Sequence, residues 1–514
     1  MKTITVTPLT AKEVLSTLDP GSEVIFAAGN YEEILELELK SAPDDVLTIL
    51  RGEPGAIITM GLSAEEYRET GNVLAKAVQD RGGFPGLYPY KMNGRFKLKN
   101  CANVIIENLT FEKSWPTHIA IENCQDLIIR TCEFQDATFA IAATGEATYG
   151  ITIEECNWVQ DRQPGRMWLD IPWFRIHGDQ EDKHPPVDVK EDWRLFDGDF
   201  FRAEDIAGGV TIRHCKIGQA FNAIHLYNTK LDPRISIDIN VHDCHFYEIR
   251  DNVLEPEKAA FNWWFWNNTI KNAHKPFSID VVKGGAFYIF SNLWWFDSIQ
   301  GPEDIDKNRG GGMFKFSKKI PKKRMARSYV FHNSIATRSD YARKGLLYGL
   351  QHLNNAIWVI REGIDYGDLI LKKPKFFGDL SVPDSDPEYL NERFTTSWRR
   401  LDIRFEGNVV YDESWPDELH DNGYDQIQKS IPADPLFKNF RNKDDLTLKE
   451  GSPCVGQSRA QTIEMPIGDD WHLSAGQDIG AYQGDELTKG PAFRPVADQR
   501  KLRPIKAHRH GQSV

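Results

Sequence analysis

The sequence predicts an all-β solenoid of stacked coils. Three observations carry that prediction: a strand pattern recurring about every 24 residues, no helical pattern between those strands, and cysteines that fall at one position of the repeat. The recurring segments are NVIIENLTF (103–111), DLIIRTCEF (126–134), GITIEECNW (150–158), GVTIRHCKI (209–217), DINVHDCHF (238–246), WWFWNNTI (263–270) and YIFSNLWW (288–295). With Phe111, Phe134, Trp158, Ile217, Phe246, Ile270 and Trp294 taken as equivalent, the spacings are 23, 24, 59, 29, 24 and 24. Strands this short cannot each bury an apolar face alone, but can do so by stacking. The spacing of 59 implies a long insertion.

Each repeat is an alternating apolar strand, then a polar residue, then often Cys or Asn. Cys132, Cys156, Cys215 and Cys244 share one repeat position and read as small apolar residues stacked inside a coil. Seven cysteines in 514 residues, none in a Cys-x-x-Cys pair, argue against both a disulfide scaffold and a zinc site. A chain that is 40% hydrophobic and 27% charged, with no apolar run of bilayer length, excludes a helical membrane protein. The start, MKTITVTPLTAKEV, has no apolar core or cleavage site of a signal peptide. The expectation is therefore a cytoplasmic protein, or a secreted or periplasmic one whose signal peptide has been removed.

Net charge is -13, unevenly spread. From Lys307 to Lys344 there are twelve Lys or Arg against one acid, Asp340, so this island is +11 and the remainder is -24. A basic island in an acidic chain suits an anionic ligand. Neither nucleic acid nor membrane is expected as a partner.

Three stretches resemble the right-handed parallel β-helix proteins of the pectate-lyase-like class. DPGSEVIFAAGNYEEILELEL (19–39) followed by VLTILRGEPGAIITM (46–60) is similar to their first coils, with AKEVLSTLD (11–19) as the helix capping the open end. The repeats supply the middle, and LTLKEGSPCVGQS (446–458) with DIGAYQ (478–483) is similar to a closing segment of bacterial members. The resemblance spans roughly residues 3 to 485. It implies a single right-handed parallel β-helix over 1–485, insertions at about 160–207, 297–327 and 365–399, a C-terminal tail over 486–514, and a carbohydrate-active protein.

Side chains on a strand alternate between the two faces. Aligning the second strand of each repeat on Ile121, Ile141, Ile224, Leu254, Phe277 and Phe314 as inward residues points Glu122, Ala142, His225, Glu255, Ser278 and Lys315 outward. Two positions on come Tyr227, Glu257, Asp280 and Ser317, also outward. Glu255, Glu257, Asp280 and His225 are thus the candidate catalytic residues. Stacked carboxylates repel, and the arrangement needs a proton, a cation or a substrate to compensate it. Glu257 to Asp280 spans about 4.8 Å and Glu255 to Asp280 roughly 8 Å by strand geometry. Those separations leave retaining and inverting glycoside hydrolysis both open.

Candidate substrate contacts are Tyr227, Lys315 and Arg309, with Trp168, Trp173 and Trp193 from the aromatic insertion, because aromatic faces stack on sugar rings. The run Trp263–Trp266 is expected mainly to pack.

Three functions remain open. The first is a glycoside hydrolase on an acidic polysaccharide, with paired carboxylates and no cofactor. The second is a polysaccharide lyase. There Glu255, Glu257 and Asp280 would hold Ca²⁺, with Lys315 or His225 as base. Glu255-Pro256-Glu257 is similar to the Glu-x-Glu of the alginate-lyase and chondroitinase-B-like family, a resemblance that implies a metal role for the pair. The lysine-then-arginine pair of that family is not recognisable at the expected coil spacing, and the Asp-Pro-His-Asp signature of mannuronan epimerases is absent. The third is a non-catalytic glycan-binding solenoid.

Overall fold

The structure is a computed structural model. It describes residues 1–39, 46–70, 91–177, 193–229, 235–279, 283–296, 312–316, 327–337, 342–343, 349–360, 404–413, 429–439, 445–490 and 492–496. Short strands dominate, most of them in parallel ladders, and the few helices are brief. The chain divides into two compact units. One comprises Met1–Thr229, Cys244–Leu254 and Ile299–Asn308, the other Lys230–Asp243, Glu255–Ser298 and Arg309–Val514. The class is an all-β parallel β-helix. Among the described residues no helix is long and apolar enough to cross a membrane.

In the first unit, Lys2–Val6 pairs in parallel with Ser22–Phe26. The capping helix is Ala11–Ser16, shorter than expected, and it buries Ala11 and Leu15. Phe111, Phe134, Trp158, Ile217 and Phe246 then form one continuous inward row, each in register with the next. Trp158 pairs directly with Ile217, so the insertion leaves the stack unbroken. The insertion also ends earlier than 207. Asp199–Glu204 is a regular rung between Phe139–Thr144 and Asn222–Tyr227. Its sequence, DFFRAE, hides this because Phe200 and Phe201 are adjacent and both buried, which breaks the alternation.

In the second unit the corresponding inward row is Ile270, Trp294, Ile335, Ile357 and Val410. The aromatic run divides by face: Phe265 packs edge-on against Phe277 at 5.1 Å, while Trp264 sits against Tyr288 at 4.8 Å and Phe493 at 5.6 Å. Residues 461–490 and 492–496 lie along this outer face. Tyr288 donates its hydroxyl proton to the Glu464 carbonyl, Ser291 donates to the Thr488 carbonyl, and the Val496 amide donates to the Asp238 carboxylate. Residues 486–490 and 492–496, part of the expected tail over 486–514, are therefore docked on the sheet. Most of the expected insertion 297–327 and all of 365–399 lie outside the described residues.

Both units turn one corner in the same way. A residue with φ near +55° ends a strand: Asn108, Thr131, Glu155 and His214 in the first unit, Asp243, Asn267, Ser291, His332 and Asn354 in the second. This left-handed conformation is tolerated best by Asn, Asp and Gly. Gly407 (φ +68°) takes the same place, and a Cβ there would run into Asn354 Oδ1.

Candidate active site

The strand Leu254–Glu257, all but its first residue in the second unit, is followed in a parallel sheet by Phe277–Ile279, Phe314–Phe316 and Ala342–Arg343. Phe277 is in register with Phe314, Ser278 with Lys315, and Lys315 with Arg343. Leu254, Phe277 and Phe314 are buried in the core, which turns Glu255, Ser278 and Lys315 to the other face.

Glu255 is only 6% exposed, and its Oε1 lies 3.6 Å from Lys315 Nζ. Burying a carboxylate is costly unless a cation compensates it. The lysine supplies that charge from two strands away, across the rung of Ser278, whose small side chain leaves the ion pair room. Glu257 is half-buried, and a carboxylate oxygen of Glu255 and one of Glu257 lie within 4.8 Å of each other. Two hard oxygens at that separation could serve as two of the roughly six to eight ligands a Ca²⁺ ion takes at roughly 2.3–2.6 Å. Lys315 and Arg343 form a lysine-then-arginine pair on consecutive strands. It escapes a search at coil spacing because 28 residues separate the two.

In the first unit, one outward row runs Ala120, Ala142, Arg202, His225 and the next runs Glu122, Thr144, Glu204, Tyr227. The row mate of Ile141 is Ile119 rather than Ile121, so Ala120 and not Glu122 lies beside Ala142. Both residues are isoleucines two apart, and the sequence offers no way to choose between them.

His225 is buried against Arg202, whose Nη1 contacts its Nδ1. Asp199, fully buried, places Oδ1 3.5 Å from His225 Nδ1 and Oδ2 3.7 Å from Arg202 Nη1. Burial pushes the Asp199 carboxyl above the usual carboxylate range, against the opposing pull of His225 and Arg202. The Arg202 guanidinium is 5.8 Å from the Tyr227 ring, and Lys91 pairs with Glu204. Asp199 and Arg202 were not legible as site residues because their rung is disguised within the insertion.

The insertion aromatics are packed rather than presented. Trp168 is 6% exposed, with the Arg250 guanidinium 4.9 Å from its ring. Trp173 sits 5.0 Å from Phe221. Trp193 stacks on Phe196 at 5.6 Å and carries the Arg68 guanidinium 4.0 Å from its centroid. Trp173 and Trp193 pack against a small core with Tyr67, Trp115 and Met167, and Trp168 is too buried to form the expected sugar platform. Asp280 and Arg309 lie outside the described residues.

No protein family's sequence pattern matches this chain, and no curated protein matches it. Among solved structures it is similar to a mannuronic acid specific polysaccharide family 6 lyase from human gut microbiota, at 14% identity and TM-score 0.40, over 71% of this chain and 70% of that one. It is similar also to a family 28 exopolygalacturonase of Yersinia enterocolitica (10%, TM-score 0.43, 68% and 75% covered) and to a pectate lyase (9%, TM-score 0.42, 94% and 97% covered).

Proposed function

We propose that this protein degrades an acidic, uronate-containing polysaccharide by β-elimination. The observation that carries this reading is the row on the second unit in which Lys315, paired to the buried Glu255, is followed one strand on by Arg343. Elimination needs a group to take the proton from C5 of the uronate and positive charge to stabilise the carboxylate as that proton leaves. The C4–C5 double bond then forms, the C4–O4 bond breaks, and O4 takes up a proton, either the C5 proton handed on by the base or one from water.

Lys315, held in place by Glu255, is the group assigned to the C5 proton, which it takes as the neutral amine. Ca²⁺ at Glu255 would favour that form by drawing the carboxylate's charge away from the ammonium. Arg343 is a second cationic residue at the next register position of the same row. Ca²⁺ bound by Glu255 and Glu257 would add charge to neutralise the uronate carboxylate. In the first unit, Arg202, His225 and Tyr227 offer hydrogen-bond donors to the same class of ligand.

Hydrolysis is the second reading, favoured by the close approach of the Glu255 and Glu257 carboxylates. It asks one of them to deliver a proton, which with Glu255 held ionised by Lys315 leaves that role to Glu257.

The test is incubation with a panel of acidic polysaccharides, with and without EDTA, following reducing ends and the ultraviolet absorbance of unsaturated uronate together. Elimination raises both. Lys315→Met should lower the rate by a factor on the order of 10² or more, as should Glu255→Gln. Reducing ends without absorbance would replace elimination by hydrolysis, and no products from any polymer would sink the polysaccharide reading.

A further inference from the structure

We infer that Arg202 locks His225 into a single neutral tautomer, with its proton on Nε2, so that His225 meets its ligand as a hydrogen-bond donor and not as a base. Asp199, Arg202 and His225 all lie in the first unit, on the neighbouring strands Asp199–Glu204 and Asn222–Tyr227, with Arg202 and His225 in direct register.

A guanidinium carries only N–H groups, accepts no hydrogen bond and stays charged at any pH a protein survives. Its Nη1 contacts Nδ1 of His225. A proton on Nδ1 would there oppose an arginine N–H, whereas a lone pair accepts it. The alternative tautomer would have Nδ1–H donate to Asp199 Oδ1, but that oxygen is 3.5 Å away, at the outer limit of a hydrogen bond, with the arginine nearer. Which ring nitrogen carries the proton is set by the bond the other one makes, and a neutral ring with Nδ1 accepting has its hydrogen on Nε2.

Asp199 has a different task. Fully buried and 3.7 Å from Arg202 Nη1, it anchors the guanidinium beside the ring and offsets its charge. Arg202 and Asp199 are positioning residues acting through His225. A fixed neutral Nε2–H suits an oxygen acceptor, such as a hydroxyl or carboxylate oxygen of an acidic sugar. That choice of ligand rests on the proposed function, while the tautomer itself does not.

The direct test is ¹⁵N NMR on the full-length protein labelled at histidine, with the His225 signals assigned by their loss in His225→Gln. At pH 7 the expected pattern is an unprotonated Nδ1 and a protonated Nε2. Arg202→Lys, also a donor-only cation, should keep that pattern. Arg202→Met removes the donor facing Nδ1 while Asp199 Oδ1 stays beside it as an acceptor, so it should switch the pattern to Nδ1–H. Protonation of Nδ1 in the wild-type protein, alone or as imidazolium, would overturn the inference, and so would an unchanged pattern in Arg202→Met.

Turnover supplies a second arm. A glutamine side chain can place an amide N–H near the position of Nε2, so His225→Gln should lose no more than about 10-fold in rate, where loss of a general base costs on the order of 10² or more. An equal and large loss in His225→Gln and His225→Ala would refute the donor role. Absence of turnover in the wild-type protein would fall on the proposed function and leave the NMR result standing.

Discussion

After the left-handed corner residue, the first unit carries Cys132, Cys156, Cys215 and Cys244, and the second carries Asn268, Asn292, Asn333, Asn355 and Asn408. All are buried. A thiol makes weak bonds there: Cys156 Sγ reaches the Glu154 carbonyl at 3.3 Å and the Ile129 carbonyl at 3.7 Å. An amide ties one coil to the next. Asn333 donates from Nδ2 to the Ile289 carbonyl and to Asn355 Oδ1, and its Oδ1 accepts the Asn292 amide at 3.0 Å. The same backbone corner is filled by volume in one unit and by a hydrogen-bonded ladder in the other.

The residue position just before that corner differs as sharply. In the first unit it presents Arg51, Glu107, Arg130, Glu154 and Arg213 in register, alternating in sign, with Arg130 2.6 Å from Glu107 and Arg213 2.5 Å from Glu154. In the second unit the row is His242, Trp266, Phe290 and Phe331, with centroids 4.4 to 5.8 Å apart. The chain's own C-terminal segment covers this part of the second unit: Trp471 lies 5.3 Å from Phe331. Where the row meets water it is charged, and where it is roofed it is aromatic.

Substitutions can break this contrast. The largest effect is expected at Trp264→Ala, under the C-terminal segment, at about 3–5 kcal/mol in urea unfolding followed by circular dichroism. A loss below about 1 kcal/mol would mean that the roof does not depend on the aromatic face. Asn333→Ala should come next, at about 3 kcal/mol, because it strands the Asn292 amide and the Ile289 carbonyl in the interior. Cys156→Ala should cost about 1 kcal/mol, the worth of one small apolar group. Equal losses for the asparagine and the cysteine would erase the distinction between ladder and filler.

Arg130→Met should cost least, about 1 kcal/mol or less, because Arg130 is half-exposed and Arg51 still pairs with the buried Glu107. It should also change the acid limb. Burial pushes the Glu107 carboxyl up, but the hydrogen bonds from Arg51 and Arg130 outweigh it and leave the group below its ordinary value. A group depressed in the folded state stabilises the protein above its unfolded value, about 4.3, and that stability is lost as pH falls through the folded value. The double variant Arg51→Met, Arg130→Met should therefore flatten the loss of stability on acidification, and an unaltered pH profile would count against the pairing. A final check uses the thiols. Burial pushes Cys132, Cys156 and Cys215 well above the ordinary thiol range, so they should react with a thiol reagent at about pH 8 only after unfolding.

Much of the coil was legible because stacking imposes a period. Equivalent residues must recur once per turn, so Phe111, Phe134 and Trp158 announce their row, and the cysteines announce the corner. The charged alternation in Glu107, Arg130 and Glu154 is visible too, but its meaning needs register. The second strand is less legible. Two candidate isoleucines, Ile119 and Ile121, differ by one full alternation, and only strand pairing selects the first.

Local pattern along the chain was enough to establish the period, the inward rows and the thiol corner, because each repeats at a fixed interval. It also marked Glu255, Glu257, Lys315 and His225 as outward polar residues. What those residues meet was settled only by the folded coils. Lys315 reaches Glu255 across an intervening rung, Arg343 is brought into register with Lys315 from 28 residues away, and Arg202 reaches His225 from a strand concealed behind the insertion. Alternation sets the face of a side chain, while partners across rungs depend on loop lengths that no periodic pattern encodes.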